Sequence, residues 1–284
     1  MAAIGKSQKR KKNIATICMV FFFTVLAILI IIPVYAIFIA SFKPGNDLLQ
    51  YGLNLNLDSA KMTLDNYILL FTGKHDYWIW FGNSLFLTVI TVVLTLLVSS
   101  FVAYGFAAYD FKGKNFFFLL VLIILSIPFE VIMLPLYKQM SEWGLMDNYA
   151  AVVMPFLAHA STIFFFRQYL LSTPKSLIEA GRIDGCTEYG IFFRLIVPIM
   201  KPAFSAMAIL NGMNAWNNYM WPLLVVRSSE KYTLTIGLNT LINPYGDNYS
   251  LLVGSVFSII PIFILFICFQ RYFIEGMTAG AVKE

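Results

Sequence analysis

The length of its uncharged apolar runs constrains this 284-residue chain more than any motif. Ile14 to Ala40, Tyr77 to Tyr109, Asn148 to Phe166, Pro202 to Val226 and Asn248 to Gln270 contain no Asp, Glu, Lys or Arg. Asn115 to Tyr137 contains one charge, Glu130. A helix needs about 20 residues to cross about 30 Å of hydrocarbon. Backbone polar groups must be satisfied within the segment, which selects helices, and the alternation of a membrane barrel strand is absent from these runs. The expectation is an all-α membrane protein with six transmembrane helices. A composition of 59% hydrophobic and 12% charged residues agrees with this.

The basic start "KSQKRKK" resembles a secretory leader, but the apolar run that follows is too long for one, so it reads as a retained first helix. Lys and Arg set the orientation. With the N-terminus inside, 14 of them fall on the cytoplasmic side and 6 outside, which predicts that both termini are cytoplasmic. The organisation expected is a disordered tail over 1–12, a membrane domain over 13–272 with a long inner loop over 167–201, and a cytoplasmic tail over 273–284. The net charge of +5 then reflects topology. No soluble face is large enough for nucleic acid.

The inner loop carries the polar stretch "LIEAGRIDGCTEYGIFFRLIVP", Leu177 to Pro198. Its punctuation predicts a short helix with Thr173 as N-cap and Pro174 at the first position. Gly185 would end that helix in the left-handed conformation, and Thr187 would cap the next. Leu177, Ala180, Gly181 and Asp184 share a face, and Ala180 and Gly181 would let another backbone approach. Glu179, Arg182 and Asp184 supply directional charge nearby. A docking knob, a solvated helix and an amphipathic helix lying on lipid headgroups all satisfy this pattern.

"EAGRIDG" followed by "LIVP" resembles the EAA motif of ABC importer permeases, in which Glu-Ala-Ala, three residues, Gly, nine residues and Ile-x-Leu-Pro follow in order. Glu179, Ala180, Gly185 and Pro198 match in register; Gly181, Leu195 and Val197 are conservative replacements. "STPKSLIEAGRIDG", "WNNYMWPLLV" and "FQRYFIEGMTAGAVK" resemble the sugar (MalG-like) branch. The resemblance implies the MalG-like ABC permease fold of type I importers in a bacterial or archaeal cytoplasmic membrane. It also implies partners: a second homologous permease subunit, two ABC ATPase subunits carrying ATP and Mg, an extracytoplasmic solute-binding protein, and a sugar substrate. Glu179, Ala180, Gly181, Asp184 and Gly185 would dock on the ATPase, and the tail residues Thr278, Gly280 and Lys283 would make a second contact with it. In the maltose system the companion permease makes most sugar contacts.

No cofactor is expected on this chain. It has no GxxxxGK[ST] phosphate loop, HExxH or GxSxG. Cys18, Cys186 and Cys268 are too dispersed for a disulfide or metal spacing. His159 reads as a hydrogen-bonded packing residue. Two features suggest a translocation path. Glu130 is the one ionisable group well inside a run, where charge is costly; it would line the passage or be bonded to a neighbouring helix. Met207, Asn211, Asn214 and Asn218 form a stripe at helical spacing, whose amides would bond a neighbouring helix or line a hydrophilic path. A self-contained secondary transporter is the alternative, disfavoured by a single intramembrane acid and a docking loop it would not need.

Overall fold

The computed structural model describes residues 2–44, 55, 62–72, 76–242 and 249–281, with side chains undescribed in 2–12, 249–250 and 272–281. Among the described residues the chain is helical throughout, with no strand. Among these residues three helices are long and apolar enough to cross a membrane: Asn13–Ala40, Tyr77–Ala108 and Leu251–Arg271. Three further candidate spans are bent pairs, Lys114–Leu125 with Phe129–Glu142 at 104°, Tyr149–Phe156 with Ala160–Leu171 at 41°, and Glu188–Ile199 with Lys201–Trp216 at 77°.

The chain divides into two compact units. The first comprises residues 1–75 and 241–257. Its main helix is α1 (Ala2–Ala40), whose apolar side chains are exposed from Ile14 to Tyr35. Only its last turn is packed, through Ala36, Ile39 and Ala40. A short helix, α2 (Asp65–Thr72), follows it in this unit. Buried Asn66 donates from Nδ2 to the carbonyls of Ser41 (2.7 Å) and Lys43 (2.9 Å), satisfying acceptors that the end of α1 leaves open.

The second unit comprises residues 76–240 and 258–284 and is built on α3 (Tyr77–Ala108), an unbroken rod. The third predicted run is two helices, α4 (Lys114–Leu125) and α5 (Phe129–Glu142). Pro128 lacks a backbone donor and disfavours the helical conformation at Ile127, which accounts for the break. The fourth run is α6 (Tyr149–Val153), a 3-10 turn at Met154–Phe156, and α7 (Ala160–Leu171). Arg167 therefore belongs to α7 rather than to the inner loop, with its guanidinium 3.8 Å from the Phe118 ring centroid. The loop itself holds α8 (Ser176–Ile183), α9 (Glu188–Ile191), a π-turn over Phe192–Ile196 and α10 (Val197–Ile199).

The fifth run is likewise discontinuous, α11 (Lys201–Trp216) followed by α12 (Met220–Val225). Pro222 cannot donate to the Asn218 carbonyl four residues back. That carbonyl accepts from Thr235 Oγ1 instead, at 3.0 Å. The stretch "YTLTIGLNTLI" contains α13 (Leu234–Thr240). Helix α14 (Tyr249–Ala281) ends the described chain.

Two buried clusters grip opposite halves of α3. Ala103 and Tyr104 join Phe166, Leu170, Ile191, Phe192, Ile196 and Met200. Leu87 joins Met140, Ala151 to Val153, Val225 and Trp221, whose indole donates to the Ala151 carbonyl at 2.9 Å. Beyond the second cluster Asp147 knots two loops together. It has a left-handed φ of 58°, a region Asp tolerates better than most residues. Its carboxylate accepts from the Arg227 and Ser228 backbone, from Ser228 Oγ, and from Lys231 Nζ at 2.8 Å. The Lys231 and Ser228 hydrogen bonds hold its pKa far below the usual carboxylate range, and Asp147 in turn raises that of Lys231.

Candidate coupling loop and polar cavity

Helix α8 starts two residues later than the sequence suggests. Lys175 is the N-cap, and Thr173 Oγ1 turns back to the Tyr169 carbonyl at 3.4 Å rather than capping α8. The expected terminator is present. Gly185 has φ 76°, Cys186 N–H donates to the Gly181 carbonyl (3.0 Å) and Gly185 N–H to the Arg182 carbonyl (3.1 Å). This is the Schellman pair of bonds, and glycine meets its left-handed residue without steric cost. Thr187 caps α9, accepting from Gly190 N–H at 3.1 Å.

The small face of α8 is divided. Ala180 is exposed together with Glu179, Asp184 and Gly185. Gly181 is buried: a Cβ there would lie 2.9 Å from Leu195 Cδ1 and 3.0 Å from Ile191 Cγ1. The close backbone approach expected from a partner is thus made at Gly181 by the chain's own next helix. Arg182, which is exposed, pairs with Glu188 at 2.7 Å. Two exposed side chains that the face pattern passed over stand on the outer rim, Ile183 at 85% exposure and Tyr189 at 72%. A β-branched apolar side chain in so polar a segment was the available signal.

The second site is a cavity of about 230 Å³ within the second unit. Helix α3 lines it with Ser84, Leu87, Thr91 and Thr95, and α11 with Asn211, Asn214 and Ala215. Asn218, Pro222, Thr233 and His159 add polar and backbone-break positions, and Phe129, Val152 and Phe156 add apolar faces. The three stripe amides are therefore brought together. Asn211 lines the cavity while its Nδ2 donates to Thr162 Oγ1 (3.1 Å) and the Met207 carbonyl (2.9 Å). Asn214 is exposed toward the cavity, and His159 Nδ1 pairs with Ser161 Oγ at 2.8 Å. The hydroxyl stripe of α3, at spacings of seven and four residues from Ser84, was hidden by the run's overall apolarity.

Glu130 is not brought into this cavity. It is exposed in the first turn of α5, and its neighbour Phe129 forms the wall. Among the described residues no Asp, Glu, Lys or Arg lines the space. Thr278 and Gly280 fall in the last turns of α14, where side chains are undescribed, and Lys283 lies outside the described residues. Among the described residues no cluster of His, Cys, Asp or Glu could hold a metal ion.

The chain has counterparts among known proteins. The model of the binding-protein-dependent transport system inner membrane component family matches residues 96–279. The chain belongs to that family. The arabinooligosaccharides transport system permease protein AraQ of Halalkalibacterium halodurans is 54% identical, over 92% of this chain and 94% of its own. AraQ of Bacillus subtilis is 50% identical over 95% and 97%. The lactose transport system permease protein LacG of Rhizobium radiobacter is 35% identical over 76% and 79%. A solved bacterial ABC transporter involved in import of the acidic polysaccharide alginate contains a chain that superposes with a TM-score of 0.80 at 25% identity, covering 93% of this chain and 98% of that one. The resemblance to carbohydrate-branch ABC importer permeases is thereby borne out.

Proposed function

We propose that this chain is one permease subunit of an ATP-driven importer for a neutral sugar or oligosaccharide, of the arabinooligosaccharide class. Both termini face the cytoplasm of a bacterial or archaeal cell. A second homologous permease completes the path, a solute-binding protein delivers substrate outside, and two ATPase subunits holding ATP and Mg dock below. The observation that carries this reading is the junction of the two sites. A helix with a rigid cap and an exposed rim of Glu179, Ala180, Ile183, Asp184 and Gly185 leads directly, through α9 and α10, into the helix bearing Asn211 and Asn214. A stiff capped helix moves as a unit when its socket moves, and this junction joins it to the polar wall.

The lining supports the neutral substrate class. Amides and hydroxyls exchange hydrogen bonds with sugar hydroxyls, and Phe129 and Phe156, with ring centroids 5.3 Å apart, offer faces to C–H groups. An anionic substrate would lose its hydration without a cationic partner from this wall.

Purification of the whole complex and uptake in proteoliposomes tests this. ATP-dependent uptake of a neutral arabinooligosaccharide is expected, and Glu179→Ala or Gly185→Val should separate ATP hydrolysis from uptake. Normal uptake in both variants, or uptake by the lone chain driven by an ion gradient, would contradict the reading.

A further inference from the structure

Glu188 is a junction of three elements. Its Oε1 accepts from Arg182 Nε at 2.7 Å. Its Oε2 accepts from Arg182 Nη2 at 3.3 Å, from Tyr109 OH at 2.6 Å and from Tyr104 OH at 3.4 Å. Arg182 is in the last turn of α8, Glu188 begins α9, Tyr104 is in α3 and Tyr109 is the residue that ends it. The Arg182 guanidinium also lies 5.6 Å from the Tyr109 ring centroid. The junction stands on a buried base, for Tyr104 is 5% exposed with its ring against Phe192, and Phe101 stacks on Phe192 at 4.4 Å.

This gives α8 two connections to the cavity. The covalent one runs through a π-turn at Phe192–Ile196 and a 77° bend before α11. A π-turn is a widened, less regular stretch of helix, so this route is compliant. The second passes through Glu188 into α3, which is unbroken for 32 residues and bears Thr91 and Thr95 on the cavity wall. From Tyr104 to Thr91 the rod spans about 20 Å at helical rise. An unbroken helix carries an axial or tilting displacement with little loss.

We propose that the Arg182–Glu188–Tyr109 clamp is a positioning device that makes α3 move with α8, so that the hydroxyl wall and the amide wall of the cavity shift together. Arg182 and Glu188 act through the helices they join and touch neither substrate nor nucleotide. The inference rests on the reading of α8 as the ATPase-docking helix. The pair is well exposed to solvent, with side chains 40% and 41% accessible, and such pairs contribute little to folding. Loss of the clamp should therefore act on coupling far more than on stability.

The test uses the complete importer in proteoliposomes, with companion permease, ATPase subunits and binding protein. Arg182→Gln and Glu188→Gln should each lower sugar taken up per ATP hydrolysed by about tenfold, within the usual span of coupling between sites. Thermal stability of the complex should change little. Arg182→Gln combined with Glu188→Gln should cost no more than either alone. The exchanged pair, Arg182→Glu with Glu188→Arg, should recover at least a part of the lost coupling, and Tyr109→Phe should cost less than either glutamine. Wild-type coupling in both single variants would overturn the clamp, as would additive losses that track a fall in melting temperature without recovery in the exchanged pair. Failure of the underlying reading looks different: the wild-type complex itself would then show no ATP-driven uptake.

Discussion

The loop around α8 and the cavity below α3 are both polar islands in an apolar chain, and they are made of different chemistry. The loop uses full charges: Glu179, Arg182, Asp184 and Glu188 lie within ten residues. The cavity uses only hydroxyls, amides and one imidazole. Water screens and solvates charge at the loop, whereas within a candidate span a charge would need a partner for every lone pair. The loop is also fixed by shape, through a left-handed glycine and a buried one, while the cavity wall is fixed by hydrogen bonds between helices. Charge should thus be tolerated at the loop and bulk should not; the cavity should show the reverse.

The largest effect is expected from breaking that rule in the wall. Asn211→Asp removes the donor to the Met207 carbonyl and buries a carboxylate, which should destabilise the complex by about 3–5 kcal/mol unless the group is neutralised. Asn211→Leu, matched in size, should cost less. Thermal melts of the purified complex compare the two, and equal melting temperatures would remove the distinction between the regions. Next is bulk in the loop. Gly181→Leu drives a side chain into Ile191 and Leu195 and should cost about 1–3 kcal/mol, whereas Ala180→Leu, on the exposed side, should leave the melt unchanged. Gly185→Val should follow, at about 1–2 kcal/mol for a left-handed residue with a Cβ. Protease sensitivity of the loop reads both.

The smallest effect is one of pH, at the Asp147 knot. Its folded pKa lies below the unfolded value of about 3.9. Its stabilisation is therefore complete above about pH 5 and is lost as pH falls toward the depressed folded value. The gap in melting temperature between wild type and Asp147→Asn should be constant from neutral pH to about pH 5 and shrink below about pH 4. A gap that widens with acidity would reverse the sign and break the account of the knot.

How far the sequence displayed these features follows from the same physics. The apolar runs were legible because hydropathy sums over many residues, and the Gly185 terminator because its conformation is local. The breaks at Pro128 and after Trp216 were not placed, since a proline can equally kink a helix or end it. The inward turn of Gly181 depended on which helix packs against α8, information held in Ile191 and Leu195 rather than in the motif. The amides Asn211 and Asn214 of α11, and Asn218 just beyond it, stood out against their background. The hydroxyls of α3 did not, because Ser and Thr bond locally to helix backbone and so occur in apolar helices without any such role.

The most direct test of the docking claim is a photo-reactive amino acid at Ile183 in the complete complex. Irradiation should give an adduct of this chain with an ATPase subunit, and the same residue at the buried Ile191 should give none. If Ile183 were to label only lipid, solvent or its own chain while the complex remains assembled, α8 would not be the contact through which nucleotide hydrolysis acts on this permease.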